Sequence, residues 1–361
     1  MSSLSVSKPL YSALRRLSLQ RLSSTLTHVP DDEKANNNTI GTKPSFIHPS
    51  ANVHPNAIIG QGVSIGPFCT VGPSAKLGNA CQLYAGSHIF GNTEMGDNCI
   101  ILTSSGAVVG DELPGCTVIG HNNFIGHHAV VGTKCQDMKY KTGDTWMSVD
   151  MCPTNFGHWD MNFLLKPGNE CFLDIGDNNE IREHTSIHRS SMPNEKTVIG
   201  DNNLIMGSCH VAHDCQVGNN NIFANNTLLA GHVVVEDYAH TAGSIVVHQF
   251  CHLGSFCFIG GGSVVSQDVP KYMMVAGERA ELRGLNLEGL RRRGFSTLEI
   301  KSLRAAYRKI FMPTDANSGG IEDRLAEVEQ CEEFAHVPVV RSMVVSVRDS
   351  FAAKRRGICK F

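Results

Sequence analysis

Apolar residues recur along this chain every six positions. One ladder runs through Ile47, Val53, Ile59, Ile65, Val71, Leu77, Leu83, Ile89, Met95 and Ile101, and resumes at Ile119, Ile125 and Val131. A second, in another phase, takes Ile175, Ile181 and Ile187, then steps in sixes from Ile199 through Val211, Leu229 and Val247 to Val265. Neither a helix, with apolar positions three and four apart, nor an alternating strand has this period. A six-residue repeat sustained this long predicts short parallel strands wound into a β-helix. Gly often follows the ladder residue, as at Gly60, Gly66, Gly200, Gly218, Gly254 and Gly260. A strand ends there, so the expectation is that these glycines serve the turn conformation.

The ladder disappears between Val131 and Ile175, a gap too long for an ordinary corner and therefore a functional loop or a foreign segment. The stretch 145–169 carries both tryptophans, Trp146 and Trp159, and no repeat. It reads as an insertion, genuine or an unspliced segment, with only Gln136 to Lys141 functional; its deletion should spare folding and activity. A shorter break at Ser190 to Lys196 replaces one rung and predicts a turn or short loop. After Pro270 the period becomes helical. Ser296-x-x-Glu299 is a capping-box pattern, followed by Ile300, Leu303, Ala306, Tyr307 and Ile310 at helical spacing. Further helices are expected over Ile321 to Phe334 and Val337 to Lys354, capping the open end of the solenoid.

The 361 residues leave room for a solenoid and a second, smaller domain. A formal charge of -3 and a pI near 6.6 provide no basic field for nucleic acid. No stretch is long and apolar enough for a transmembrane segment. The 13 cysteines suggest metal or disulfides until they are placed on the ladder. Cys69, Cys81, Cys99, Cys209, Cys215, Cys251 and Cys257 each stand two residues before a ladder position, where small buried residues are needed, and no CxxC pair occurs. Reduced thiols in an intracellular compartment are expected. Residues 1–28 contain no acid, many serines and the cations Lys8, Arg15, Arg16 and Arg21 beside Leu10, Leu14 and Leu17. That is the composition of an organelle transit peptide, with mitochondrion favoured over plastid because of the arginines. Residues 1–38 are read as transit peptide and polar linker.

Three faces of six residues place positions eighteen apart one above another. His213, Gly231, Gln249 and Gln267 form such a column, with His210, Asp214, His232 and His248 beside it. His248 occupies the slot after a ladder residue, where Gly or Ala is favoured. An imidazole can take a proton from a hydroxyl, and Asp214 beside His213 can fix its tautomer. The Gly231 amide can donate to an oxyanion. Histidines at solenoid corners are otherwise plain surface residues, which suffices for His127, His128 and His252. A zinc site of the kind found in gamma-class carbonic anhydrases is the competing reading, although His210-Val-Ala-His213-Asp214 lacks that family's spacing. Arg291-Arg292-Arg293-Gly294, with Asn286 and Glu288, lies at the junction of coil and helix, where a phosphate can be met bidentately. Gly260-Gly261-Gly262 is coil geometry that leaves room beside it, not a phosphate loop.

Longer motifs span the chain from Ile47 to about Arg356, excluding the stretch 145–169. His210-Val-Ala-His213-Asp214-Cys215, Ala224-Asn-Asn-Thr-Leu-Leu-Ala-Gly231-His232-Val233 and Val247-His248-Gln249-Phe250-Cys251 resemble the acyl-ACP:UDP-N-acetylglucosamine O-acyltransferases. So do Gln267-Asp-Val-Pro270, Asn286-Leu-Glu288-Gly-Leu290 and Arg292-Arg293-Gly294-Phe295. These enzymes begin lipid A assembly, and the transit-like N-terminus resembles a plant mitochondrial version. The resemblance implies a homotrimer with sites between adjacent β-helices, moving a 3-hydroxyacyl group from acyl carrier protein to the 3-hydroxyl of UDP-N-acetylglucosamine without metal or cofactor. It implies His213 as general base, Asp214 as its orienting partner and Gly231 as oxyanion donor. Asp137, Lys139, His210, His232, His248, Gln249, Asn286, Glu288, Arg292 and Arg293 match substrate-binding positions, with Arg292 alternatively serving the carrier protein. Gly261 matches the acyl-chain ruler and predicts a long chain.

Two rivals remain. A gamma-carbonic-anhydrase-like scaffold of a mitochondrial complex would leave the histidines and arginines dispensable. The related N-acyltransferase of the same pathway carries a uridine-binding domain that the segment before the coils does not resemble. Together, period and resemblance predict an all-β left-handed parallel β-helix of hexapeptide repeats over 39–270 and a small C-terminal α-helical domain over 271–361.

Overall fold

The structure, a computed structural model, describes residues 44–102, 106–136, 170–192, 195–313 and 319–361. The chain divides into two compact units, Met1–Gly41 and Thr42–Phe361, of which only the second falls among the described residues. The expected transit segment, the 145–169 insertion, Asp137 and Lys139 lie outside them.

The second unit is the left-handed parallel β-helix that the period predicts. Among the described residues, thirty-one strands of two to five residues form three sheets of 12, 10 and 9 strands, and except at the end of the first sheet each strand pairs with the one three further along. We call these faces 1, 2 and 3 in that order. In each two-residue strand the first side chain points outward and the ladder residue inward, as in His210–Val211. Isoleucines 65, 89, 101, 125, 181, 187, 205 and 259 are fully buried, stacked in register, whereas Ile47 on the first described coil stays exposed. The seven ladder-flanking cysteines are all buried free thiols. Burial pushes Cys209 up to about 11 and Cys215 and Cys251 up to about 12.

The glycines after ladder residues serve a different purpose from the one expected. The left-handed corner conformation falls two residues later and is held by side-chain-bearing residues, among them Asn202 (φ 58°), Asp214 (φ 60°), Asn220 (φ 59°) and His232 (φ 60°). A Cβ at Gly60, Gly78 or Gly96 would instead meet the backbone carbon of the glycine one coil on, at 2.6, 2.5 and 2.7 Å. Stacking distance, not φ, excludes side chains there.

The ladder also slips where it looks continuous. Ile101 is followed on face 2 by Val109 and on face 3 by Ile119. These steps exceed six by two and four residues, which sum to one repeat and conceal the excursion. The resulting loop is fixed by Arg189, 1% exposed, whose guanidinium donates to Leu113 O (3.1 Å), Asp111 O (3.4 Å) and Thr117 Oγ1 (3.1 Å). Inside the coils, Asn123, Asn179, Asn203 and Asn221 form a buried ladder, each Oδ1 accepting from the next coil's backbone at 2.7–2.9 Å.

Face 1 ends in an antiparallel pair, Met273–Ala276 with Glu281–Leu285. Among the described residues five helices follow: α1 (Leu287–Arg292), α2 (Thr297–Phe311), α3 (Ile321–Gln330), α4 (Glu332–Ala335) and α5 (Pro338–Asp349). The capping box at α2 forms as read: Ser296 Oγ accepts from Glu299 N (3.2 Å) and Ser296 N donates to Glu299 Oε2 (2.7 Å). The helix expected over 321–334 breaks at Cys331, whose extended backbone separates α3 from α4. The helix expected to reach Lys354 stops at Asp349, and the tail returns to the coils, pairing Asp268 with Ile358. Among the described residues no helix is long and apolar enough to cross a membrane.

Candidate active site

The corner between faces 2 and 3 carries His213, Gly231, Gln249 and Gln267 in one column. His213 is 5% exposed, and its Nδ1 lies 2.7 Å from Asp214 Oδ2. Because the carboxylate is ionised, the imidazole N–H donates. Asp214 is in turn held by the break in the repeat: Ser191 Oγ donates to Oδ2 at 2.6 Å and Ser191 N to Oδ1 at 3.1 Å. Burial alone would raise the Asp214 pKa, but the bonds from His213 and Ser191 outweigh it and hold the carboxyl below its ordinary range. The predicted loop at Ser190 therefore exists and clamps the carboxylate.

Gly231 lies directly against the His213 ring. A Cβ there would stand 2.4 Å from Cε1 and 2.6 Å from Nε2. Its N–H makes no hydrogen bond among the described residues. The same position in lower coils of this column is Pro55 or Pro73, which have no N–H. At the corner between faces 3 and 1 the equivalent N–H is tied down by a carboxylate or amide of the coil above, as Asn219 N is by Asp237 Oδ1 at 2.6 Å. At this corner the open donor stands beside a buried imidazole.

His232 places Nε2 3.5 Å from Asp214 Oδ2, meets the His213 ring edge-on at 5.2 Å and stacks on Phe250 at 4.7 Å. His210, at the end of face 2, bonds Ser186 Oγ through Nδ1 at 2.7 Å. Its pKa is lowered by burial and then by His213. The ring of His188 meets that of His210 at 4.7 Å, and burial, then His210 and His213, press its pKa down to about 4. His188 escaped the sequence reading, although it follows the ladder residue Ile187, the same signal that singled out His248. Exposed His248 and Gln249 stand above Gly231 in this corner.

The other expected residues lie elsewhere on the coil. Asn286 caps α1, accepting from Gly289 N at 3.0 Å and donating to Phe256 O at 2.9 Å. Glu288 pairs with Arg292 (2.9 Å), both well exposed, and Arg293 lies 4.6 Å over the Tyr238 ring. Tyr238 and Phe256 belong to the corner between faces 3 and 1, not to that of His213. Gly261 is at the third corner, where an added Cβ would make only ordinary contact, 3.5 Å to Gly243 O and 3.8 Å to Ala242 Cβ. Between Gly261 and His213 runs face 2, whose outward Leu228 and Val246 are exposed apolar side chains in register.

His213, Asp214 and His232 are also the one cluster of described residues close enough to share a metal ion. Two ligands of a tetrahedral zinc, each about 2.1 Å from it, stand roughly 3.4 Å apart. The 2.7 Å between His213 and Asp214 is a hydrogen bond instead.

A family profile described as bacterial transferase hexapeptide (six repeats) matches residues 196–231, and one described as UDP N-acetylglucosamine O-acyltransferase, domain 2, matches residues 268–359. Over 361 residues, all of this chain and 97% of the relative, 63% are identical to a probable acyl-[acyl-carrier-protein]--UDP-N-acetylglucosamine O-acyltransferase, mitochondrial, of Arabidopsis thaliana. The fold is similar to that of the solved Arabidopsis UDP-N-acetylglucosamine acyltransferase, with a TM-score of 0.78 and 67% identity, covering 87% of this chain and 100% of that one. It is also similar to the UDP-N-acetylglucosamine acyltransferase from Campylobacter jejuni, at a TM-score of 0.61 and 30% identity over 87% of this chain and 99% of that one. With the repeat, the histidine corner and the helical tail all in place, the chain belongs to the UDP-N-acetylglucosamine O-acyltransferase family and is an acyltransferase.

Proposed function

We propose that this acyltransferase moves a 3-hydroxyacyl group from acyl carrier protein to the 3-hydroxyl of UDP-N-acetylglucosamine, opening a lipid A-type pathway, with His213 as general base. The observation that carries the base assignment is the chain of bonds Ser191–Asp214–His213 beside an open Gly231 N–H. Asp214 holds the proton on Nδ1, which leaves Nε2 as the basic nitrogen. Nε2 takes the proton of the sugar hydroxyl as its oxygen bonds to the thioester carbon. The Gly231 N–H then faces the developing oxyanion. Collapse of the tetrahedral species breaks the C–S bond, and the departing thiolate takes the proton back from His213. No metal or redox group enters this scheme. The acyl chain lies along the apolar outward residues of face 2 toward Gly261, the ruler at its far corner.

The separation of Asn286, Glu288, Arg292 and Arg293 from the His213 corner supports a homotrimer in which a neighbouring copy supplies them to bind the nucleotide. His210, His232, His248 and Gln249, from the same corner as the base, complete the sugar side with Asp137 and Lys139. The mitochondrial name of the Arabidopsis relative and the acid-free residues 1–28 support mitochondrial targeting.

The test offers UDP-N-acetylglucosamine and 3-hydroxyacyl-ACP to the wild type, to His213→Ala and Arg293→Ala, and to a co-expressed mixture of the two variants. Product from the wild type, its loss in each variant and its partial return in mixed assemblies are expected. Equal product from His213→Ala would refute the base, and no return in the mixture would refute the shared site. One zinc bound per chain in the active preparation would count against the metal-free scheme.

A further inference from the structure

At the corner between faces 3 and 1, coil after coil holds one residue in the left-handed backbone conformation. Asn98, Asn122, Asn178, Asn202 and Asn220 fill this position with φ between 57° and 59°. Asn takes that conformation more readily than most residues that carry a side chain. The next three coils keep the backbone and change the side chain, to Tyr238 (φ 61°), Phe256 (φ 59°) and Tyr272 (φ 68°). Each still donates its N–H to the coil below, as Tyr238 N does to Asn219 O at 2.9 Å. Bulky rings suit this backbone poorly, so the change has a reason beyond the corner itself. For two of the rings the reason is packing: Phe295, between α1 and α2, meets Phe256 edge-on at 5.0 Å and Tyr272 at 5.9 Å. Tyr238, one coil lower, is not paired with Phe295 among the described residues. It stacks on Phe256 at 4.9 Å, the rings inclined by 7°, and carries the Arg293 guanidinium 4.6 Å from its ring centroid.

Of the three consecutive arginines, Arg291 and Arg292 are drawn to Glu288, at 3.6 and 2.9 Å. The exposed side chain of Arg293 makes neither a hydrogen bond nor an ion pair among the described residues. A ring holds a guanidinium by its quadrupole, which consumes no N–H donor and leaves the charge unneutralised. A loose arginine loses much rotamer freedom when it grips a ligand, and one already laid on a ring loses less. We infer that Tyr238 is a positioning residue of the nucleotide site, its ring fixing Arg293 while the guanidinium donors stay available to an anionic ligand. The inference rests on the nucleotide role proposed above for Arg293.

The experiment measures UDP-N-acetylglucosamine binding and steady-state kinetics well below the melting temperature of each protein. The proteins are the wild type, Tyr238→Phe, Tyr238→Asn, Arg293→Ala and the double variant of the last two. Asn is the informative replacement, because the lower coils already use it at this corner; it keeps the backbone and removes the ring. An exposed cation–π contact corresponds to a factor of about two to five in affinity. Tyr238→Asn should therefore raise Kd and KM for the nucleotide sugar by about that factor, with kcat and the KM for acyl-ACP unchanged. Tyr238→Phe keeps the ring and should match the wild type. The double variant should bind no more weakly than Arg293→Ala alone, since the ring acts only through the guanidinium. Wild-type affinity in Tyr238→Asn, whatever its melting temperature, would leave the ring a packing residue and overturn the inference. A loss that Tyr238→Phe shares, or additive losses in the double variant, would overturn it as well. Unchanged affinity in Arg293→Ala would refute the nucleotide role of Arg293, and a wild type that binds no UDP-N-acetylglucosamine would remove the function proposed above; either result takes the positioning role with it.

Discussion

Gly231→Ala adds one carbon at the position where the base and the oxyanion donor meet. The backbone tolerates the change, because Gly231 is not among the residues with positive φ. The obstacle is the His213 ring, whose Cε1 and Nε2 would lie 2.4 and 2.6 Å from the new Cβ. Ordinary carbon contacts begin near 3.5 Å, so the imidazole must retreat by about 1 Å. Its 2.7 Å bond to Asp214 cannot survive that shift unchanged. A displacement of about 1 Å in a catalytic group costs on the order of 10²-fold in rate, and overpacking costs about 1–3 kcal/mol in stability. The Gly231 N–H remains, so the loss isolates base placement from oxyanion binding. Steady-state kinetics should show kcat down about a hundredfold with KM for the sugar nucleotide within a few fold. Gly243→Ala, at the equivalent place one corner away, meets only Asn225 O at 3.5 Å and should leave urea unfolding unchanged. A Gly231→Ala enzyme with kcat within twofold of the wild type would refute the reasoning.

Ser191→Ala removes the 2.6 Å bond to Asp214, a charge-assisted contact worth about 1.5–3 kcal/mol. It should lower kcat about tenfold at constant KM and move the acid limb of the pH–rate profile upward, because Asp214 then protonates more readily; Ser191→Thr should restore both, and an unmoved limb would defeat the assignment. His188, held down to about 4, binds its proton in the folded state well below the unfolded value of 6.5. Its contribution is full above about 6.5 and is lost as pH falls toward 4, a decline of about 3 kcal/mol at 1.36 kcal/mol per pH unit. Urea titrations across that window should show a shallower slope for His188→Gln, and equal slopes would remove His188 as its source. Gly261→Met should shift donor preference to shorter acyl chains in competition assays, since an added Cβ there makes only ordinary contact, 3.5 Å to Gly243 O and 3.8 Å to Ala242 Cβ; an unchanged preference would free Gly261 of the ruler's role.

How much of this was legible in the chain depends on the range over which each feature is decided. The six-residue ladder, the inward cysteines and the Ser296 capping box follow from the pitch of one strand or one helical turn, so residue order alone sufficed. The column of His213, Gly231 and Gln249 was also legible, because regular coils convert an eighteen-residue spacing into vertical contact. Where a coil is lengthened the conversion fails. Ser191 reaches Asp214 across 23 residues and Ser186 pairs with His210 across 24, since the loop at Ser190 lengthens that coil. Arg189 meets the Asp111–Leu113 excursion from 76 and 78 residues away, hidden because two insertions restored the phase of the ladder. The sequence by itself thus determined the period, the inward face and the corner bearing the histidines. Only the tertiary structure decided that the post-ladder glycines admit a neighbouring backbone and that a break in the repeat grips Asp214. It alone set Arg292 and Arg293 at a different corner from His213. These are matters of distance between coils, which depend on the lengths of every corner between them and not on any local pattern.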